Sequence, residues 1–132
     1  MRTIIAGGRA DARTGLVYGR TPTEIDALLE TAIATSRFTI SSVIGGMATG
    51  VDAAGERYAR RRDLPFTPMP ADWTRYGRGA GPVRNEAMAV EAGAGGALIA
   101  IHDGKSRGTA DMIRRAERHG LRLYVETLDP KK

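Results

Sequence analysis

Three apolar runs in this chain end in glycine-containing turns, and helical periodicity resumes beyond each turn. Residues 3–6 run into Gly7-Gly8-Arg9, residues 41–44 into Gly45-Gly46-Met47-Ala48-Thr49-Gly50, and residues 96–101 into His102 and the stretch from Asp103 to Thr109. A strand that is apolar without alternation is buried on both faces, so it belongs in a parallel sheet with helices on each side. The helices are written between the strands. Thr21-Pro22-Thr23-Glu24 supplies an N-cap, a proline for the first helical position and the glutamate of a capping box. Ile25, Leu28, Leu29, Ala32 and Ile33 then repeat on one helical face. Further helices are expected over 50–62, 81–92 and 108–119, the last stopped by Gly120. Residues 64–68, with two prolines, read as a short edge strand, 70–80 as a loop holding the only tryptophan, and 121–125 as the final strand. The sum is an α/β, Rossmann-like, doubly wound and mostly parallel sheet of about five strands flanked by helices.

At 132 residues the chain has room for one such domain, expected over 1–128 with a short C-terminal tail at 129–132. Aromatic residues are only 5% of it, so the core must rest on Ile, Leu, Val, Met and Ala. Without cysteine there is no disulfide or thiolate chemistry, and the two histidines, His102 and His119, form no cluster with metal-ligand spacing; no metal is expected. No run has membrane-span length and the N-terminus lacks a signal-peptide core, so the expected setting is the cytoplasm, with no membrane partner. Net charge is +5 and 17 of the 20 cations are arginine, a balance suited to anionic partners, although the arginines are dispersed along the chain. Arg60-Arg61-Arg62 reads as a solvated helix end that complements the helix dipole.

In a parallel sheet the glycine turns share the carboxyl edge, where doubly wound folds bind ligands. Gly8, Arg9, Gly45, Gly46 and Met47 are therefore candidate ligand contacts from the first two turns. The third turn adds Asp103, Gly104, Lys105, Ser106, Arg107, Gly108 and Thr109, a cation-bearing stretch before a helix start that can receive phosphate. Gly104-Lys105-Ser106 is not the end of a P-loop, because the first glycine of that pattern would fall on Ile99, inside a strand. A Gly-x-Gly-x-x-Gly pattern after the first strand is absent as well. Arg84 and Asn85, in the first turn of their helix, can face the same edge, and a guanidinium fork suits phosphate or carboxylate. Asp52 and Glu56 lie four apart on a helix and could hold ribose hydroxyls or act as acid and base. They fit plain structural roles too, Asp52 in a capping box with Thr49 and Glu56 paired with Arg60. Trp73 suits stacking on a base or plugging the core, and His102 a strand end satisfied by backbone.

The blocks GGMATGVDAAGERYA, PADWTRYGRGAGPVRNEAM and IAIHDGKSRGTADMI together resemble the DUF2493 (YspA-like) family of the SLOG superfamily, across nearly the whole chain. That resemblance implies a Rossmann-like fold that binds nucleotides or nucleotide-derived ligands of the NAD or ADP-ribose kind. More distantly, Arg84-Asn85 with Met88, and Gly108-Thr109, are similar to motifs of the LOG phosphoribohydrolases, a group long mistaken for lysine decarboxylases. In those enzymes the arginine and a glutamate assist cleavage of the N-glycosidic bond of nucleoside monophosphates. Here Met112 holds the glutamate position, and Asp111 stands one residue early, turned by about 100° on a helix. Gly46 to Asp52 is similar to a motif of the DprA DNA-processing proteins, which bind single-stranded DNA. Tyr18, Trp73 and Tyr76 are the loop aromatics that such binding could use.

The expectation from sequence is a domain that binds a nucleotide-type ligand and requires no cofactor. Phosphate would sit on 105–109, ribose near Asp52 and the base toward Met47 and Trp73. An N-glycosidase using Arg84 with Asp52, Glu56 or Asp111 is the first alternative, and single-stranded nucleic-acid binding the second. A homo-oligomer would accord with the resemblance, but the sequence shows no apolar stripe that demands one.

Overall fold

The computed structural model describes residues 1–129, so most of the expected tail lies outside the described residues. Five strands form one all-parallel sheet: β1 (Arg2–Gly7), β2 (Ser42–Gly45), β3 (Phe66–Pro68), β4 (Ala97–His102) and β5 (Arg122–Thr127), in the order β3-β2-β1-β4-β5. The chain steps outward from β1 to β3, then returns to β4 on the other side of β1. That reversal between β1 and β4 defines the switch point of a doubly wound α/β fold.

Alternate residues of the central strands feed two cores. Ile5, Val43, Ile99 and Ile101 pack beneath α1 (Pro22–Ser36) and α2 (Val51–Arg61). Ile4, Ile44, Leu98 and Ala100 pack beneath α4 (Ala80–Ala92) and α5 (Arg107–Arg118). Burial on both faces is why these strands read as unbroken apolar runs. The α1 start forms as expected. Thr21 Oγ1 accepts from Glu24 N at 3.2 Å, and Glu24 Oε1 accepts from Thr21 N at 3.0 Å. Ile25 and Leu29, both fully buried, anchor the helix, and truncating either to alanine would cost about 2–5 kcal/mol.

Several local expectations are corrected. The edge strand β3 covers only Phe66–Pro68, because Pro65 can offer no N–H and only its carbonyl bonds to β2, through Val43 N at 2.9 Å. The 70–80 segment is no open loop. Asp72 caps a one-turn helix, α3 (Trp73–Tyr76), by accepting from Arg75 N at 3.0 Å, and a 3-10 turn (Gly77–Gly79) leads into α4. Thr49 and Asp52 form no capping box. Gly50 is the N-cap of α2, Thr49 Oγ1 accepts from Ala10 N, and the Asp52 carboxylate accepts from Ala48 N. Arg61 and Arg62 do more than end a helix, since they reach Glu30 on α1 at 3.1 and 2.8 Å, beside Arg57, which grips Asp26 bidentately. The anticipated pair of Glu56 with Arg60 is present at 2.5 Å.

Candidate functional site

The carboxyl ends of β1 and β4 open into a cleft of about 770 Å³, with an adjoining lobe of about 400 Å³. Gly8 at the end of β1 leaves room for the ring of Tyr18, whose hydroxyl donates to Ile101 O at 2.9 Å. Tyr18 holds φ at 54°, a left-handed conformation that costs a non-glycine residue about 1 kcal/mol or more. The packing of the ring against Gly8 and the bond to β4 hold it there. Burial, then the charge of Asp103, push the Tyr18 hydroxyl pKa up, so it stays protonated and donates.

One wall is the start of α2. Val51 N donates to Gly8 O at 3.0 Å, which ties the helix to β1, and Asp52 is buried immediately behind. Burial raises the proton affinity of the Asp52 carboxyl, although the positive charge of Arg84 and the N–H of Ala48 pull the other way. Arg84 enters from α4. Its guanidinium donates to Gly46 O at 2.5 Å and, through Nε, to Asn85 Oδ1 at 3.1 Å. Burial likewise lowers the Arg84 pKa, against the attraction of Asp52. Two groups that would each rather be hydrated thus share the cleft wall.

Asn85 is buried, and its amide has one orientation that satisfies every neighbour. Nδ2 donates to Asp111 Oδ2 at 2.9 Å and to Gly108 O at 3.3 Å, which leaves Oδ1 for Arg84. Behind it a relay runs outward from Asp111 to Arg115 (2.9 Å), Glu86 (3.2 Å) and His119 (2.6 Å). Burial opposes ionisation of Asp111, but the hydrogen bonds from Arg115 and Asn85 outweigh it and lower its pKa.

The opposite wall is the start of α5. Asp103 Oδ1 accepts from Lys105 N and Ser106 N at 2.9 and 3.0 Å and folds the turn back on itself. Ser106 caps the helix, accepting weakly from Thr109 N at 3.4 Å, while its hydroxyl pairs with Thr109 Oγ1 at 3.1 Å. The first turn holds no acidic side chain. Among the described residues no acceptor meets the N–H groups of Arg107 and Gly108, both on the cleft lining. Such a helix start carries a partial positive charge and free donors.

Of the sequence candidates, Gly8, Arg9, Asp52, Trp73, Arg84, Asn85, Asp103, Ser106, Arg107, Gly108, Thr109 and Asp111 line the main cleft. Gly46 and Met47 line the adjoining lobe, which shares Arg9, Trp73 and Arg84 with the cleft. Four candidates stand apart. Gly45 is packed against the Phe66 ring, Glu56 is engaged by Arg60, and Gly104 and Lys105 are exposed outside both linings. His102 is not satisfied as expected, because its buried Nδ1 has no hydrogen-bond partner. Asp111 does reach the cleft wall despite its offset, and Met112, 1% exposed, lines the cleft floor beside it. Trp73 is no core plug, since half of it is exposed and Arg9 sits over its ring at 5.5 Å. Sequence reasoning passed over Arg78 and Arg114 as cleft residues, and placed Tyr18 only on a loop. Of the cleft arginines, Arg9, Arg78, Arg84 and Arg107 have no ion-pair partner among the described residues, although Arg84 is held by Gly46 O and Asn85. Set against family models, curated proteins and solved structures, the chain matches none of them.

Proposed function

We propose that this domain binds a nucleotide or nucleotide-derived ligand of the nucleoside phosphate, NAD or ADP-ribose kind at the carboxyl edge of its sheet. The observation that carries the reading is the uncapped N–H pair of Arg107 and Gly108 at the start of α5, facing a cleft whose rim bears unpaired arginines. Phosphate sits on that helix start with Ser106 and Thr109, ribose lies toward Asp52, and the base rests against Trp73 and Met47. The similarity to the DUF2493 family supports the same class of ligand. No described helix is long and apolar enough to cross a membrane, and the setting we propose is the cytoplasm. Calorimetry and thermal shift with AMP, ADP-ribose, NAD and cyclic nucleotides test the reading. At least one should bind, and Arg107→Ala should weaken it about tenfold, the loss of one charge-assisted contact. No response to any of them removes the proposal.

A second reading is favoured by one feature, the buried Asp52 with raised proton affinity beside Arg84. A carboxyl whose proton affinity is raised in a cleft is better equipped to donate a proton to a departing base. In that reading the domain is an N-glycosidase of nucleoside monophosphates. Base release followed by chromatography, lost in both Asp52→Asn and Arg84→Ala, would establish it; binding without release leaves a holder.

A further inference from the structure

Four of the five large hydrophobic side chains exposed on the described chain, Trp73, Tyr76, Val83 and Val90, lie on α3 and α4. Within α4 and the turn that follows it, the residues exposed as a whole are Pro82, Val83, Ala87, Val90, Ala94 and Gly95, none of them polar, while the side chains of Glu86 and Glu91 are 43% and 41% exposed. Val83 and Val90 are 43% and 61% exposed. The two acids of the helix flank this stripe, and both are ion-paired. Glu86 turns to Arg115 and His119 on α5, and Glu91 to Arg2 at 2.6 Å. By contrast α5 presents Arg107, Arg114, Glu117 and Arg118 to solvent, and α2 presents Arg60 and Arg61.

We infer that the outward face of α4 is a homodimer interface, with the α4 helices of two copies packed antiparallel across a two-fold axis. Two properties select a second copy over another partner. The stripe Val83, Ala87, Val90 has spacing i, i+4, i+7 with the small residue central, so it is its own complement when reversed. Each Val83 then meets the Val90 of the other copy, and the two Ala87 side chains meet on the axis, where their size allows helices to approach to about 8 Å. Charge gives the second property. A chain of net charge +5 repels its own copy wherever basic faces meet, and α4 is the helix whose outermost stripe carries no charge, the acids beside it being paired with Arg2, Arg115 and His119. A strongly acidic partner would be drawn to the arginine-bearing faces of α2 and α5 instead. Tyr76, exposed on α3 where it packs beside α4, widens the patch toward the roughly 1,200 Å² that a stable interface buries.

Sedimentation equilibrium of the full chain, from about 1 to 200 µM, tests the interface, a range that brackets the micromolar constants of modest interfaces. The wild type should be a dimer at the upper end. Ala87→Arg, which places two cations on the axis, should shift the dissociation constant at least 100-fold with the circular dichroism spectrum unchanged. Val83→Glu and Val90→Arg should each weaken the dimer about tenfold, and the two together in one chain should restore it, because antiparallel packing sets each new acid against a new base. A wild type that stays monomeric throughout overturns the inference, and so does a dimer indifferent to Ala87→Arg. A double variant no tighter than the singles overturns the antiparallel register. Should Ala87→Arg fail to fold, the single and double valine variants decide the matter.

Discussion

At the start of α2 the first turn brings its own carboxylate, Asp52, and Val51 N–H is taken by the Gly8 carbonyl at 3.0 Å. At the start of α5 the first turn has no acid, Ser106 is a long cap, and the N–H groups of Arg107 and Gly108 face the cleft. Their glycines differ in the same sense. Gly50, with φ of 80°, is pressed so closely on the backbone of Gly8, Arg9 and Ala10 that a Cβ has no space. Gly104, with φ of 81°, and Gly108 have nothing within 4 Å of where a Cβ would stand. Both turns join a strand to a helix through glycine, and both leave N–H groups without an acceptor among the described residues, Asp52 and Ala53 at α2 and Arg107 and Gly108 at α5. Yet the α2 turn is packed against β1 and carries its own acid, while the α5 turn is open and has none. Glycine content alone therefore says little about where an anion binds. Whether an acid already stands in the first turn behind it says more, and by that measure the phosphate we propose is placed on α5.

The largest effect separating the two turns is on stability. Gly50→Ala combines a positive φ with a clash against fixed backbone, and should cost about 3 kcal/mol or more. Gly104→Ala suffers the φ penalty alone, about 1 kcal/mol. Urea unfolding of the two variants measures the gap. Equal losses would mean that the α2 turn yields as readily as the α5 turn, and the contrast between packed and open would be lost.

Gly108→Ala is the next test, because stability and binding should move in opposite directions. Gly108 lies inside α5 with no φ constraint and open space around it, so alanine should stabilise the fold by about 0.5 kcal/mol. The same methyl group would enter the space proposed for phosphate and should weaken nucleotide binding about tenfold, near 1.4 kcal/mol. Thermal shift with and without AMP or ADP-ribose reads both quantities. Unchanged affinity would move the phosphate away from this helix start.

How far the sequence carried this picture depends on how local each feature is. The capping box at Thr21 and Glu24, the buried stripe from Ile25 to Ile33 and the glycine-ended strands are short-range patterns, and each stands where the letters put it. Tyr18 was not legible as part of the cleft, because its role rests on a bond to Ile101, 83 residues away, and its loop has no periodicity. Nor was the grip of Arg84 on Gly46, a contact spanning 38 residues. The outward face of α4 was hidden for another reason. Met88, Ala89 and Ala92 fill the inner face while Val83, Ala87 and Val90 occupy the outer one, so the helix is apolar on both sides and its period is blurred. With apolar residues on two faces, one fills the core and the other is left exposed, and reading only one face missed the second.

The carboxyl in the first turn of α2 should show itself in the pH dependence of stability. Burial raises the Asp52 pKa in the folded state above its unfolded value. The folded state then binds that proton more tightly, so the associated stability is fully present below the unfolded pKa and is lost as pH rises through the folded one. Asp52→Asn abolishes this loss. Relative to the wild type, the variant should gain stability as pH is raised above the ordinary carboxyl pKa of about 3.9 and through the raised folded one. Asp103, Asp111 and Glu86, whose pKa values are lowered, contribute the opposite slope in both proteins and cancel in the difference. A parallel pair of profiles would show that Asp52 is as well solvated in the native protein as in the unfolded chain.

The smallest effect concerns the cap of α5 and distinguishes the two helix ends most directly. Ser106→Ala removes an acceptor 3.4 Å from Thr109 N, longer than a good cap, so the loss should be about 0.5 kcal/mol, the low end for such substitutions. An anion seated on the open helix start would compensate by accepting from the freed N–H as well. The destabilisation by Ser106→Ala should therefore shrink when inorganic phosphate is added at constant ionic strength, with chloride as the control for screening. At α2 the first turn already carries the acid Asp52, and the stability difference between Asp52→Asn and wild type should not respond to phosphate. A Ser106→Ala loss that is indifferent to phosphate, or a phosphate response at Asp52→Asn, would reverse the assignment of which helix end takes the anion.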